Sequence, residues 1–240
     1  MSHALVIIPT YNERESLTGV LDRLTAAAPD VDVLVVDDAS PDGTGSIASA
    51  YAERNLRVHV LHRPSKQGLG PAYIAGFRWA FERDYAFVVE LDADGSHDPA
   101  VVPKLLRLAT STGADLVIGS RWIPGGAVDG WSIVRQLISR AGNTYARFAL
   151  RSHIGDLTAG FRAIRVERLR ALDLASIASS GYCFQIEIAD RIERAGGHII
   201  EHPIRFVERE HGTSKMHLGI VLEAFSRITT WGLRRLVGRY

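Results

Sequence analysis

The residues best suited to chemistry lie in "FVVELDADGSHDP", Phe87 to Pro99, where an apolar β-rich run ends in Glu90, Asp92, Asp94 and Asp98. Crowded carboxylates raise one another's pKa unless a cation sits among them. Asp92 and Asp94 are two residues apart, so if strand geometry continues they project to one side and can share a ligand. Two hard oxygen donors suit Mg2+ or Mn2+, ions that complete their shells with water and substrate phosphates. A lone Asp-X-Asp is also common in solvated turns, so this chemistry depends on the frame around it. Asp98 before Pro99 reads instead as a helix cap with proline at the first helical position. His97 reads as a neighbour of a hard oxygen site rather than a ligand.

The frame is legible as alternation. The runs "ALVII", "VDVLVVD", "RVHVLH", "AFVVEL" and "ADLVIGS" are separated by helical stretches starting near Glu13, Asp42, Gly70 and Pro99, with Ser40-Pro41-Asp42 as a second cap. Near-continuous apolar strands suit a mostly parallel, doubly wound α/β sheet covered on both faces. Ligands of such sheets bind beyond the carboxyl ends of the strands, and "PTYNE", "DDASPDGT" and "DADGSH" all fall there. The lack of GxGxxG and GxxxxGK[ST] disfavours a dinucleotide fold or P-loop and leaves a nucleotide held mainly by side chains.

The 240 residues, 46% hydrophobic and 23% charged, fit one large globular domain. A net charge of +1 gives no overall attraction to nucleic acid, so none is expected as a partner. The single cysteine, Cys183, excludes an intrachain disulfide or a Cys-based zinc site, reads as core and fits a reducing cytoplasm. Met1 to His3 show no secretory pattern, and no apolar run nears the roughly 18 residues of a membrane span.

The second half is less regular. "GGAVDGWS" reads as a loop, "IVRQLISRAGNTYARFAL" and "FQIEIADRIERAG" as helices, "HIIEHPIRFVE" as one strand, and "REHGTSKMH" as a polar loop. Residues 1–216 are expected to form the catalytic domain and 217–240 an amphipathic helix. At 100° per residue Leu218, Val221, Leu222, Phe225, Ile228, Leu233 and Leu236 share one side, with Arg227 and Arg234 opposite and Trp231 outside the stripe. Such a helix suits a surface of anionic lipid, or packing on the domain or on a membrane-protein partner.

In order, "PTYNERESL", "VVDDASPDGT", "GLGPAYIAGF", "LDADGSHDP", "GSRWIPGG", "GWSIVRQLISRAGN", "DLTAGFRAIR" and "FVEREHGTSK" resemble the dolichol-phosphate (polyprenol-phosphate) mannose synthases, inverting family 2 glycosyltransferases of GT-A fold. The resemblance runs from about residue 4 to 216, and its last three motifs mark the polyprenyl-phosphate branch. It implies mannose transfer from GDP-mannose to a polyprenyl phosphate, with Mg2+ or Mn2+, peripherally at the cytoplasmic face of a membrane. Pro9, Tyr11 and Glu13 then match guanosine contacts, Val36 and Asp38 nucleoside contacts, and Asp92 and Ala93 nucleotide contacts. Asp94 matches the principal metal ligand, with Asp92 and Ser96 beside it. Arg121, Arg135, Arg209 and Lys215 match the cations that bind donor and acceptor phosphates, Arg121, Arg209 and Lys215 at the nucleotide sugar and Arg121 and Arg135 at the acceptor phosphate. Gly95 and the alanine of "DLTAGF" depart from the usual pattern, and Asp156 there suits either sugar hydroxyls or an ordinary turn. UDP-glucose or another sugar nucleotide as donor, and an inactive nucleotide-sugar-binding membrane scaffold, are the alternatives.

Overall fold

The computed structural model describes residues 3–177, 179, 181–209 and 218–236, with residues 182, 218–223, 235 and 236 described by backbone only. Four of the apolar runs form the first half of the main sheet: β1 (Ala4–Thr10), β2 (Asp32–Asp37), β3 (Val58–His62) and β4 (Phe87–Glu90). Between and after them lie α1 (Leu17–Ala27), α2 (Thr44–Ala52), α3 (Leu69–Phe81) and, after a 3-10 turn at Pro99–Val101, α4 (Val102–Thr112). Then come β5 (Leu116–Ser120), β6 (Ala127–Asp129), α5 (Ile133–Leu150), β7 (Arg162–Arg165), α6 (Val166–Arg170), α7 (Tyr182–Arg194), β8 (Ile199–Pro203), β9 (Arg205–Val207) and α8 (Leu218–Leu236).

The main sheet has the order β3-β2-β1-β4-β7-β5-β8, parallel except for β7, which runs against both β4 and β5. Strand side chains alternate between two cores, as a period of two requires. Leu5 and Ile7 of β1 join the cluster shared with α3, α5 and α7, while Val6 and Ile8 join the one shared with α1 and α4. Helix α3 lies so close to β1 that a Cβ on Gly76 would sit 2.7 Å from Ile7 Cγ2. Strand order reverses around β1, which opens a crevice at the carboxyl ends of β1, β2 and β4.

Several expectations are corrected. Helix α1 begins at Leu17 rather than near Glu13, after a turn in which the Ser16 and Leu17 N–H groups donate to Glu13 O. Helix α2 begins at Thr44 behind Gly43, whose φ of 91° suits glycine, so Ser40 is not its cap. Asp98 does cap, accepting from Ala100 N, and Cys183 is buried. The strand expected over "HIIEHPIRFVE" is two strands in two sheets: Pro203 lacks an N–H, and the chain leaves the main sheet at Ile204. Its second part, β9, pairs in parallel with β6, which lies inside the expected loop "GGAVDGWS".

Helix α8 packs against α5 and α7. Its buried face runs through Ile228 and Trp231, whereas Phe225 and Leu233 are exposed, so the inward stripe is rotated from the one drawn at 100° per residue and includes the tryptophan left outside it. Tyr145 of α5 stacks on Phe225 at 4.3 Å and its hydroxyl meets Thr229 Oγ1. The side chains of Leu218, Val221, Leu222 and Leu236 lie outside the described residues. A Cβ on Gly232 would stand 2.7 Å from the Ala149 carbonyl oxygen. Gly232→Ala is therefore expected to push α8 off α5 and cost about 1–3 kcal/mol in urea unfolding; an unchanged midpoint would contradict this packing.

Candidate active site

The crevice at the strand ends is a cleft of about 250 Å³. From the β1 end come Pro9, Tyr11 and Glu13, from the β2 end Asp38, and from the β4 end Asp92, Ala93 and Asp94. Arg121 follows β5, Arg135 stands in the first turn of α5, and Arg209 follows β9; all three line the same cleft. Two predicted contacts do not reach it. Val36 is fully buried in the core beside Leu34, and Ser96 is buried behind the acidic turn. Lys215 lies outside the described residues.

The acidic turn is not a continued strand. Strand β4 stops at Glu90, and Asp92 and Asp94 reach the cleft from the turn that follows. Asp94 Oδ1 accepts from Ser96 N at 3.0 Å, and its Oδ2 lies 3.2 Å from Arg209 Nη2. Asp92 Oδ2 lies 3.4 Å from His97 Nε2, and the His97 ring packs between Phe161 and Phe206. Among the described residues no group of three or more His, Cys, Asp and Glu side chains gathers as a metal site. Beneath the turn, Glu90 faces Arg162 across the β4–β7 ladder, both fully buried. Burial pushes the Glu90 carboxyl up to about 8, against the pull of Arg162. Arg162 itself donates to the carbonyls of Gln185 and Leu157.

On the opposite wall Arg121 is almost fully buried and paired with Asp156. Its Nε and Nη2 donate to the two Asp156 oxygens at 2.8 and 2.7 Å, its backbone N–H donates to Asp156 at 3.0 Å, and Nη2 also donates to Thr158 Oγ1 at 2.8 Å. The backbone N–H groups of Gly155 and Asp156 donate in turn to Glu201 of β8. Burial alone would raise the Asp156 carboxyl, but the Arg121 guanidinium and these hydrogen bonds hold it below its ordinary value. Arg135 stacks on Trp131 at 4.0 Å and pairs with Glu208 at 2.6 Å. The small sheet joins the two walls, since Glu208 N donates to Asp129 O and Val207 N to Ser96 O.

Asp38, expected at the nucleoside, uses its carboxylate to hold the loop after β3: Arg63 pairs with it at 2.5 Å, and Gln67 N and Gly68 N donate to it. That loop carries Lys66, which lies 3.8 Å over the Tyr11 ring and lines the cleft. Lys66, Trp131, Thr158 and Gln185 were not singled out from sequence. The signal for Lys66 was available, because "SKQG" follows a third parallel strand and so opens on the same side of the sheet.

Comparison with known proteins agrees with this geometry. The family described as Glycosyl transferase family 2 matches residues 5–172. The chain is 56% identical over 229 residues to the undecaprenyl-phosphate mannosyltransferase of Micrococcus luteus, covering 95% of this chain and 93% of that one. It is 50% identical over 236 residues to the polyprenol monophosphomannose synthase of Mycolicibacterium smegmatis, covering 98% and 89%. Among solved structures it resembles glucosyl-3-phosphoglycerate synthase from Mycobacterium tuberculosis in complex with Mn2+ and UDP-glucose, at 23% identity and a TM-score of 0.65, over 99% of this chain and 79% of that one. The fold is the GT-A arrangement expected from the motifs.

The Arg121–Asp156 pair gives a direct test. Asp156→Asn leaves a buried guanidinium without its counter-charge and is expected to cost about 3–5 kcal/mol at pH 7 in urea unfolding. With the folded pKa below the unfolded value, the contribution of the carboxylate is present above about pH 4 and is lost as pH falls through the folded pKa, so the deficit should shrink there. A deficit that is the same at pH 7 and pH 3 would contradict this account.

Proposed function

On the premise that the chain belongs to glycosyl transferase family 2 and is a glycosyltransferase, we propose that it transfers mannose from GDP-mannose to a polyprenyl phosphate with inversion, giving polyprenyl-phosphate β-D-mannose. The observation that carries this reading is the cleft itself, with aspartates at one strand end facing arginines from three other elements. The mannosyl and polyprenyl assignments also draw on the two curated relatives, whose names carry those groups.

A phosphate oxygen of the acceptor is already anionic at neutral pH, so the reaction needs no strong general base. Its lone pair attacks the anomeric carbon opposite the diphosphate. The bond from that carbon to the diphosphate oxygen breaks, and its electrons leave with GDP. Cations at both ends meet the chemistry's main demand, stabilisation of phosphate charge as it develops. Arg121 and Arg135 are assigned to the acceptor phosphate, where the guanidinium fork suits phosphate oxygens. Arg209, now against Asp94, is assigned to the departing diphosphate, and Lys215 to the same end.

Asp92 and Asp94 offer the hard oxygens that Mg2+ or Mn2+ prefers, and two protein carboxylates match an ion that takes its other ligands from a diphosphate and water. Ser96, expected beside them, is buried away from the cleft and is not assigned to the ion. Such an ion, when bound, supplies charge neutralisation of the leaving group.

The exposed side chains Ile133, Val134, Leu137 and Ile138 lie on the N-terminal half of α5, beside Arg135. A charged group in the cleft next to an apolar helix face suits a lipid whose phosphate enters while its tail remains outside. No helix among the described residues is long and apolar enough to cross a membrane. Because its acceptor is a lipid, we assign the protein to the cytoplasmic surface of a membrane, with α5 as well as α8 towards that surface.

Incubation with labelled GDP-mannose, Mg2+ and a short polyprenyl phosphate is expected to put label into the organic phase. Label from UDP-glucose but not from GDP-mannose would replace the donor, and none from any sugar nucleotide would reject the function. Arg135→Ala is expected to weaken acceptor use by about 2 kcal/mol, roughly 30-fold, with donor affinity kept; equal losses for both substrates would remove its acceptor role. Asp94→Ala should abolish metal-dependent donor binding measured by titration, and normal binding would remove the metal assignment.

A further inference from the structure

Helix α5 carries Arg135 at its N-terminal end, yet no residue of the helix before Asn143 is buried. Ile133, Val134, Leu137 and Ile138 are all more than half exposed. The first buried residue of this helix, where it meets the domain, is thus an asparagine, 2% exposed, in the helix interior. Asparagine is a poor helix former, because its side chain competes for backbone hydrogen bonds. It is tolerated when buried only if its amide is satisfied.

Here the amide is fully engaged. Asn143 Nδ2 donates to Ser139 O at 3.1 Å within the helix and to Thr158 Oγ1 at 3.0 Å across the interface, while Oδ1 accepts from Thr158 N at 3.3 Å. Two acceptors on one side and a backbone donor on the other leave only one orientation of the amide. The Thr158 hydroxyl is saturated as well: it accepts from Asn143 and from Arg121 Nη2, and donates to Asp156 Oδ1 at 3.1 Å. A chain of short bonds therefore runs from α5 through Thr158 to the guanidinium of Arg121. Arg135 lies eight residues before Asn143, about 12 Å along the same rigid helix.

We propose that Asn143 is a positioning residue that registers α5 against Arg121, so that Arg121 and Arg135 address one acceptor phosphate. The inference rests on the acceptor assigned above. Asn143 does not line the cleft, so its effect passes through the two arginines. A misplacement of about 1 Å at one end of a phosphate clamp is enough to cost a large factor in rate.

The test reads acceptor and donor separately. Asn143→Leu keeps the size of the side chain and removes all three hydrogen bonds. It is expected to raise KM for a short polyprenyl phosphate about tenfold and to weaken its binding in titration by a similar factor, with KM for GDP-mannose unchanged. Added to Arg135→Ala, it should produce less than its separate effect, because both act on one contact. Thr158→Val should reproduce the acceptor defect and Thr158→Ser should not, which decides the matter if Asn143→Leu fails to fold. Equal rises in both KM values, unchanged acceptor affinity, or full additivity with Arg135→Ala would overturn the inference. A wild-type protein that binds polyprenyl phosphate but transfers no mannose to it would reject the function alone, since the titration arm still judges Asn143.

Discussion

The bidentate pair of Arg121 and Asp156 is the constraint around which the site is assembled. A buried ion pair is favourable only when the remaining donors and acceptors of both partners are also met. Asp156 meets the Arg121 side chain, the Arg121 backbone and the Thr158 hydroxyl, and its own backbone N–H is held by Glu201. These bonds draw together the end of β5, the turn before β7, strand β8 and, through Asn143, helix α5. Loss of the carboxylate would therefore loosen elements far apart in sequence, in addition to one side chain.

Charge is divided across the cleft in a way that suits phosphate chemistry. Acidic groups sit at the end of β4, basic groups arrive from β5, α5, the segment after β9 and, with Lys66, the loop after β3, and two of the arginines already have acidic neighbours: Arg135 has Glu208, and Arg209 has Asp94. Such partners hold the guanidinium groups in extended positions before substrate arrives, which lowers the ordering cost of binding. Glu90 and Arg162 sit deeper, fully buried beneath the acidic turn. The high pKa of Glu90, raised by burial, favours the neutral acid over an added negative charge there at neutral pH.

Much of this was legible in the residues. The runs that became β1, β2, β4 and β5 are apolar throughout because both sheet faces are covered, and that pattern has few other readings. The ordered motifs placed ten of the predicted contacts on one cleft. Strand β7 was missed for a physical reason: "RAIR" contains a fully buried arginine, which local patterning marks as surface. Strand geometry was assumed for Asp92 and Asp94, but β4 ends earlier and a turn brings them to the cleft. Val36 has a core side chain because it lies inside β2, before the strand's carboxyl end, where it packs with Leu34 in the cluster shared with α3. The rotation of α8 depends on the shape of α5, including the close approach at Gly232, and a helical wheel carries no information about a partner's surface.

The two-stranded sheet of β6 and β9 has one more implication, for protein engineering. Its edges hold Ser96 through Val207 and Asp129 through Glu208, so the acidic turn and the entrance to α5 share a single splint. Inserted residues between Asp129 and Arg135, or between Val207 and Arg209, would shift one cation relative to the other with nothing nearby to absorb the added length. Tags, labels or loop grafts belong instead at the Glu53–Asn55 bend, where the chain is solvent-facing at the amino-terminal edge of β3, at the opposite end of the sheet from the cleft.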